Sequence, residues 1–348
     1  MQVSRDARLD IIKSIAIIGV LLIHASAVGF SGYQLGSIDW FISVAWGTIL
    51  RAAVPLFFMV SGALLLNPEK KIDTRQIYTK YLLRIVAALF IWAIAYEGYD
   101  LILKFIKSGI SGEDIKNAIK NILFFKHHFH LYYLHIIVIV YAFLPITRIF
   151  IAHASKRQME YALLLWLILA IVYPFVRQMQ VYPFNMLSGI PAQYAINMTY
   201  GAIGYGILGY YLKKYPVNRK LAWLYAVGAV ITFFGTVYMS LHKGTANGAF
   251  FEGMSPGVLF MAVGIYAFVI RVEKNGMASR ICVKLSKASF CIYLVHDFFN
   301  MIFRAFGLDA LTFSPIISIP VIIFANLALS CIVYLLLSKV PIVKKYLI

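Results

Sequence analysis

Residues 10–24 read Asp10-Ile-Ile-Lys13-Ser-Ile-Ala-Ile-Ile-Gly-Val-Leu-Leu-Ile-His24. Ten uncharged residues separate the lysine from the histidine, and the apolar run extends over about 9–28. That is roughly the 20 residues that cross a bilayer as an α-helix. Comparable runs recur at about 39–66, 78–103, 129–150, 159–177, 193–212, 221–241, 255–271, 286–306 and 313–338. The second and last are long enough to tilt or break, with Pro55 and Pro320 as the expected kinks. The chain has 348 residues, of which 61% are hydrophobic and 13% charged. A soluble domain is about 25% charged, so this composition excludes a purely water-soluble fold. The expected architecture is all-α: one polytopic transmembrane bundle, residues 1–348, of about ten spans.

The net charge of +18 would suggest a nucleic-acid partner in a soluble protein. In a membrane protein it records topology, because cytoplasmic loops collect Lys and Arg. With ten spans, 23 of the 32 basic residues fall on the side of the N-terminus, eight on the other, and Arg51 mid-span. Both termini are therefore expected in the cytoplasm, and no nucleic acid is needed. Arg5, Arg8 and Lys13 before an apolar run also resemble a signal peptide; its cleavage would spoil this charge separation, so the segment is read as a retained span. Five of the outer charges lie in 104–128. There Ile115, Ala118, Ile119, Ile122 and Leu123 recur at helical spacing, which predicts an amphipathic helix at about 113–126 on the outer surface.

Cys282, Cys291 and Cys331 lie in an inner loop or in spans, so no disulfide is expected. Cys and His lack metal-ligand spacing along the sequence, and no metal is expected. The glycines of the sixth span, Gly201, Gly204, Gly206 and Gly209, read as close helix packing.

Ionisable groups inside spans are the functional candidates. Lys13 and His24 are eleven residues apart, so they share a helix face with His24 about 16 Å deeper. Such a pair suits a ligand with an anionic head and a reactive tail; alternatively Lys13 snorkels and His24 bonds a neighbouring helix. Arg51 needs a partner such as Glu97, Asp100 or a ligand anion. Lys80 and Arg84 form either a phosphate clamp or ordinary interfacial anchors. His130 and His135 flank Leu-Tyr-Tyr-Leu, with Tyr132 and Tyr133 expected at an interface. His296 and Asp297, being adjacent, face different sides of a helix, which favours separate structural roles. Ser61-Gly62 reads as small-residue packing before it reads as a nucleophile.

At these residues the chain resembles the membrane acyltransferase-3 family of bacterial O-acyltransferases. The resemblance rests on the basic-x10-His segment Lys13–His24 with Asp10 ahead of it. It rests also on Val54-Pro55-Leu56-Phe57-Phe58-Met59-Val60-Ser61-Gly62 after Arg51, on His130-Leu131-Tyr132-Tyr133-Leu134, and on Ile292-Tyr293-Leu294-Val295-His296. One departure is the family's Arg-x-x-Arg, which here reads Tyr81-Leu-Leu-Arg84, with Lys80 beside the missing arginine. Lysine lacks the arginine fork.

The resemblance implies transfer of an acyl group, usually acetyl, from cytoplasmic acyl-CoA to a hydroxyl of a cell-envelope glycan or lipid-linked sugar, in the bacterial cytoplasmic membrane. It implies His24, with Asp10, as the catalytic group, acting as general base or acyl carrier. Lys13, Lys80 and Arg84 would bind the donor, and Arg51, Ser61, Glu97, His130, Tyr133 and His296 are the candidate substrate-binding residues. The chain would complete transfer alone or with envelope-synthesis partners. The competing class is a transporter of a glycan or polar solute, for which buried Arg51, Glu97, His24 and His296 serve equally well.

Overall fold

The computed structural model describes residues 5–179, 181–189, 191–272 and 276–348. Lys274, counted among the inner charges, lies outside them. The molecule is 80% helix, with no strand among the described residues.

α1 (Ala7–Gly32) starts where the Asp6 side chain accepts from the Arg8 amide, satisfying a free N–H of the first turn. At 26 residues it is about 39 Å long, more than a bilayer core. It is apolar all round and buried on most sides, against α2 (Ile38–Ile49), α3 (Ala53–Leu65) and later helices. α2 and α3 together make one candidate span, broken at residues 50–52. The break falls at Arg51, and Pro55 sits in the first turn of α3, where its missing N–H costs nothing.

α4 (Thr74–Ser108) contains a widened π-helical turn, Ile77–Leu82, and ends at Gly109, whose φ of +83° suits glycine. α5 (Gly112–Leu123) is the predicted amphipathic helix, opened by a Ser111–Asp114 capping box. Its Ile115, Ile119 and Leu123 are exposed, as is Phe124 just beyond. The expected fourth span is two helices, α6 (Phe129–Ala142) and α7 (Leu144–His153), bent by 50° with Pro145 in the first turn of α7.

α8 (Lys156–Gln178), α9 (Met198–Lys214), α10 (Arg219–Lys243) and α11 (Ala249–Val269) follow. α9 packs its glycines directly on α3: a Cβ at Gly62 would overlap the Gly206 carbonyl, and one at Gly209 the Met59 carbonyl. Backbones approach this closely in membranes because small residues permit it. α12 (Met277–Ala305) lies along α1, α13 (Pro315–Leu337) runs unbroken through Pro320, and α14 (Pro341–Tyr346) ends the chain.

Among the described residues seven helices are long and apolar enough to cross a membrane, or eight with the bent pair as one span. The expected sixth and ninth spans are α9 and α12, which are not among them. α9 has only 17 residues, and α12 carries His296, Asp297 and Asn300 in its apolar stretch. The chain is thus a multi-pass helical membrane protein.

Candidate active site

α1 is the axis of the site. Near its N-terminal end a vestibule of about 740 Å³ is lined by Arg5, Lys13, Lys70, Lys213, Lys287 and Lys344, with Asp6 and Asp10 the acidic members. Lys13 also lines a second cavity of about 170 Å³, walled by Ser61, Tyr81, Arg84, Tyr133, Tyr141 and Tyr293. At the far end of α1, His24 lines a third cavity of about 420 Å³ with Ser31, Phe129, Asp297, Asn300, Arg304 and Asp309. No lining residue is common to this far cavity and the tyrosine-walled one.

Between them lies a layer of imidazoles and rings. His24 packs on His296, ring centroids 4.8 Å apart, and on Phe129 at 5.3 Å. His296 is fully buried, and its Nδ1 lies 2.6 Å from the Tyr293 carbonyl. A carbonyl only accepts, so Nδ1 carries the proton and Nε2 keeps its lone pair. That Nε2 is buried without a hydrogen-bond partner. His130, also fully buried, stands 5.5 Å from His296 by ring centroid, with Nδ1 3.3 Å from Asp297 Oδ2. This is ion-pair range but off hydrogen-bond geometry, and both ring nitrogens of His130 lack a hydrogen-bond partner. Tyr96 backs the layer, stacked on Phe298 at 3.8 Å and donating to the Leu294 carbonyl at 2.8 Å. Asn326 of α13 donates to the His296 carbonyl and to Asn300 Oδ1, holding α12 in place.

The residues singled out in the sequence divide accordingly. His24, His130 and His296 come together, as do Lys13, Ser61, Arg84 and Tyr133. Arg84 also donates to the Ile348 backbone oxygen. Asp10 lies about 21 Å along α1 from His24. Its carboxylate is gripped by Arg5 through two 2.6 Å bonds and by the Ser286 hydroxyl at 2.6 Å, so it joins α1 to α12 rather than touching His24. Lys80 is exposed, its Nζ 5.8 Å from the Tyr81 ring centroid; Tyr81, at the position of the missing arginine, lines the cavity instead.

Arg51 meets neither Glu97 nor Asp100. Its Nε donates to the Phe251 carbonyl at 2.7 Å, with the guanidinium 4.3 Å from the centre of the Phe251 ring. Glu97 accepts from Asn121 of α5, and Asp100 pairs with His128 at 2.8 Å. His135 stacks on His127, their facing nitrogens 3.2 Å apart, outside the layer.

Asp297 and Asn300 are the members that sequence reasoning missed. Adjacency does put His296 and Asp297 on different faces of α12, but α12 is wedged between His24 and His130, so both faces belong to one site. The signal available was the density of polar residues, His296, Asp297 and Asn300, within an apolar run.

A multi-pass helical bundle with a basic cavity at one end of its central helix and a buried histidine layer near the other is the class that fold and site define: a membrane enzyme or carrier working on a polar ligand. A family model described as an acyltransferase domain, acyltransferase-3, matches residues 6–335. The chain belongs to this membrane acyltransferase-3 family, and acyl transfer is its class of activity. No match was found among curated proteins or among solved structures.

Proposed function

We propose that the chain takes an acyl group, acetyl in the simplest case, from acyl-CoA and delivers it to a hydroxyl of a cell-envelope glycan or lipid-linked sugar. In this reading the protein lies in the bacterial cytoplasmic membrane with both termini in the cytoplasm, as the charge distribution favours. The observation that carries it is α1 itself. It presents Lys13 to both cavities at the basic end and His24 to the cavity at the other.

Coenzyme A is polyanionic at one end and carries its thioester on a long thin arm. Lys13, Lys70, Lys287 and Lys344 offer the point charges for its phosphates, with Arg84 deeper in the bundle. Lys80, on the exposed side of α4, takes no part. The arm follows the tyrosine-walled cavity past Ser61 and Tyr133 toward the histidine layer. His24 removes the proton of the acceptor hydroxyl as oxygen attacks the thioester carbon and the thiolate leaves. In the two-step variant the imidazole takes the acyl group first and the hydroxyl then displaces it. Asn300, Arg304 and Asp309 supply donors and acceptors of the kind sugar hydroxyls require, while Phe129 and Phe303 supply apolar faces.

The test is purified chain in detergent with acetyl-CoA and a soluble glycan acceptor. Release of free CoA coupled to glycan acylation is expected. A chain that releases none yet moves a polar solute across proteoliposomes would be a transporter, and the proposal would fail.

A further inference from the structure

Six of the eight histidines are His24, His127, His128, His130, His135 and His296; His24, His128, His130 and His296 gather at the far end of α1, with the His127–His135 pair outside that layer. Acyl transfer as proposed uses few of them. His127 and His135 satisfy each other, which leaves the group around His130. His128, His130 and Asp297 each offer one ligand atom, all within 4.8 Å of one another. Asp297 comes from α12, some 170 residues after the histidines, so spacing along the sequence could not show the set.

The protonation pattern decides what this group binds. His128 Nε2 lies 2.8 Å from Asp100 Oδ2. A carboxylate only accepts, so Nε2 carries the proton and Nδ1 is left with a lone pair. Asp297 contributes Oδ2, its Oδ1 accepting from Asn300 at 3.4 Å, and His130 contributes ring nitrogens that lack hydrogen-bond partners. His296 adds the unpartnered Nε2 lone pair one ring away. Acceptors outnumber donors in a buried place, and unmatched buried acceptors are costly. A cation is the species that satisfies them together.

We infer that His128, His130 and Asp297 form a site for a borderline-soft divalent metal ion of the zinc class, independent of the acyl-transfer reading. Two imidazoles and a carboxylate are ligands that zinc takes, with a fourth position open. Zinc–ligand bonds of about 2.0–2.2 Å in a tetrahedron put two ligand atoms about 3.3 Å apart. His130 Nδ1 and Asp297 Oδ2 already stand at 3.3 Å. His128, its side chain 19% exposed, sits with its ring 6.3 Å from that of His130 and is held by Asp100 on its outer side. Asp100 is the outer carboxylate that a metal-bound histidine ordinarily carries. The ion would reach the site past Asp100, whose side chain is 47% exposed, and would tie the start of α6 to α12, with α4 behind them.

The test is metal content. Full-length chain purified in detergent is given a slight excess of Zn2+, passed through desalting, and measured by inductively coupled plasma mass spectrometry. About one zinc per chain is expected, falling at least tenfold in His130→Ala and in Asp297→Asn. Asp100→Asn, a change at the exposed rim, should weaken binding tenfold to a hundredfold. His135→Ala should leave zinc unchanged. Less than a tenth of a zinc in the native chain overturns the inference, leaving His130 and Asp297 paired with each other alone. Loss of zinc in His135→Ala with retention in His130→Ala overturns it equally, placing the metal at the His127–His135 pair. The readout does not depend on acyl transfer, so failure of one proposal leaves the other standing.

Discussion

At the scale of single residues, the site separates side chains that the sequence groups together. Asp10 and His24 belong to one signature, yet Asp10 is held by Arg5 and Ser286 at the opposite end of α1. Asp10→Asn is therefore expected to lower thermal stability while leaving kcat of the folded fraction within about threefold, a mutant whose defect is not in the transition state. Nearly normal stability with a large loss of kcat would place Asp10 in the chemistry after all. Lys80 and Arg84 part in the same way. Arg84→Ala or Lys13→Ala should raise the acetyl-CoA KM about tenfold or more, and Lys80→Ala less than about twofold. Titration of initial rates against acetyl-CoA decides between them. The positions of Lys13 and His24 were legible because an α-helix has fixed geometry. The partner of Arg51 was not, because a carbonyl released at Phe251 cannot be read from side-chain identity.

At the scale of elements, the contact between α3 and α9 depends on backbone proximity. Gly62→Val and Gly209→Val each drive a side chain into a carbonyl and should abolish monodisperse protein in detergent. Gly98, in α4, meets nothing within 4 Å, so Gly98→Ala should instead be neutral or stabilise the helix by about 0.5–1 kcal/mol. Size-exclusion profiles and melting curves check both. The surface helix α5 carries a pH test. Lys104, hydrogen-bonded to Asp114, holds that carboxyl down to about 2, helped by Ser111. A lowered folded pKa contributes stability above the unfolded value of about 4, and that contribution is lost as pH falls through about 4 toward 2. Protection of the α5 amides against hydrogen exchange, taken relative to the intrinsic rate at each pH, should therefore fall over that window, and Asp114→Asn should remove the dependence. The sequence made α5 visible through its periodicity. The breaks at Arg51 and between α6 and α7 were less visible, because hydropathy reports length and not direction.

At the scale of the whole molecule, an all-helical bundle and its family were readable from composition and four ordered motifs, whereas the arrangement of its polar interior was not. Which faces of α1, α6 and α12 meet depends on packing between segments more than a hundred residues apart. The topology proposed from the charges is open to direct labelling. In a cysteine-free background, Lys116→Cys should react with an impermeant maleimide added to intact cells, and Lys345→Cys only after lysis. Labelling of both from outside would overturn the even number of spans.

The central claim is that His24 performs the acyl transfer. Its most direct measurement is mass spectrometry of envelope glycans from cells producing equal membrane levels of native chain or of His24→Ala. The native chain should add an acyl mass to the glycan that the variant loses by a factor of about a hundred or more, the scale of a missing general base. Equal acylation in both would contradict the assignment.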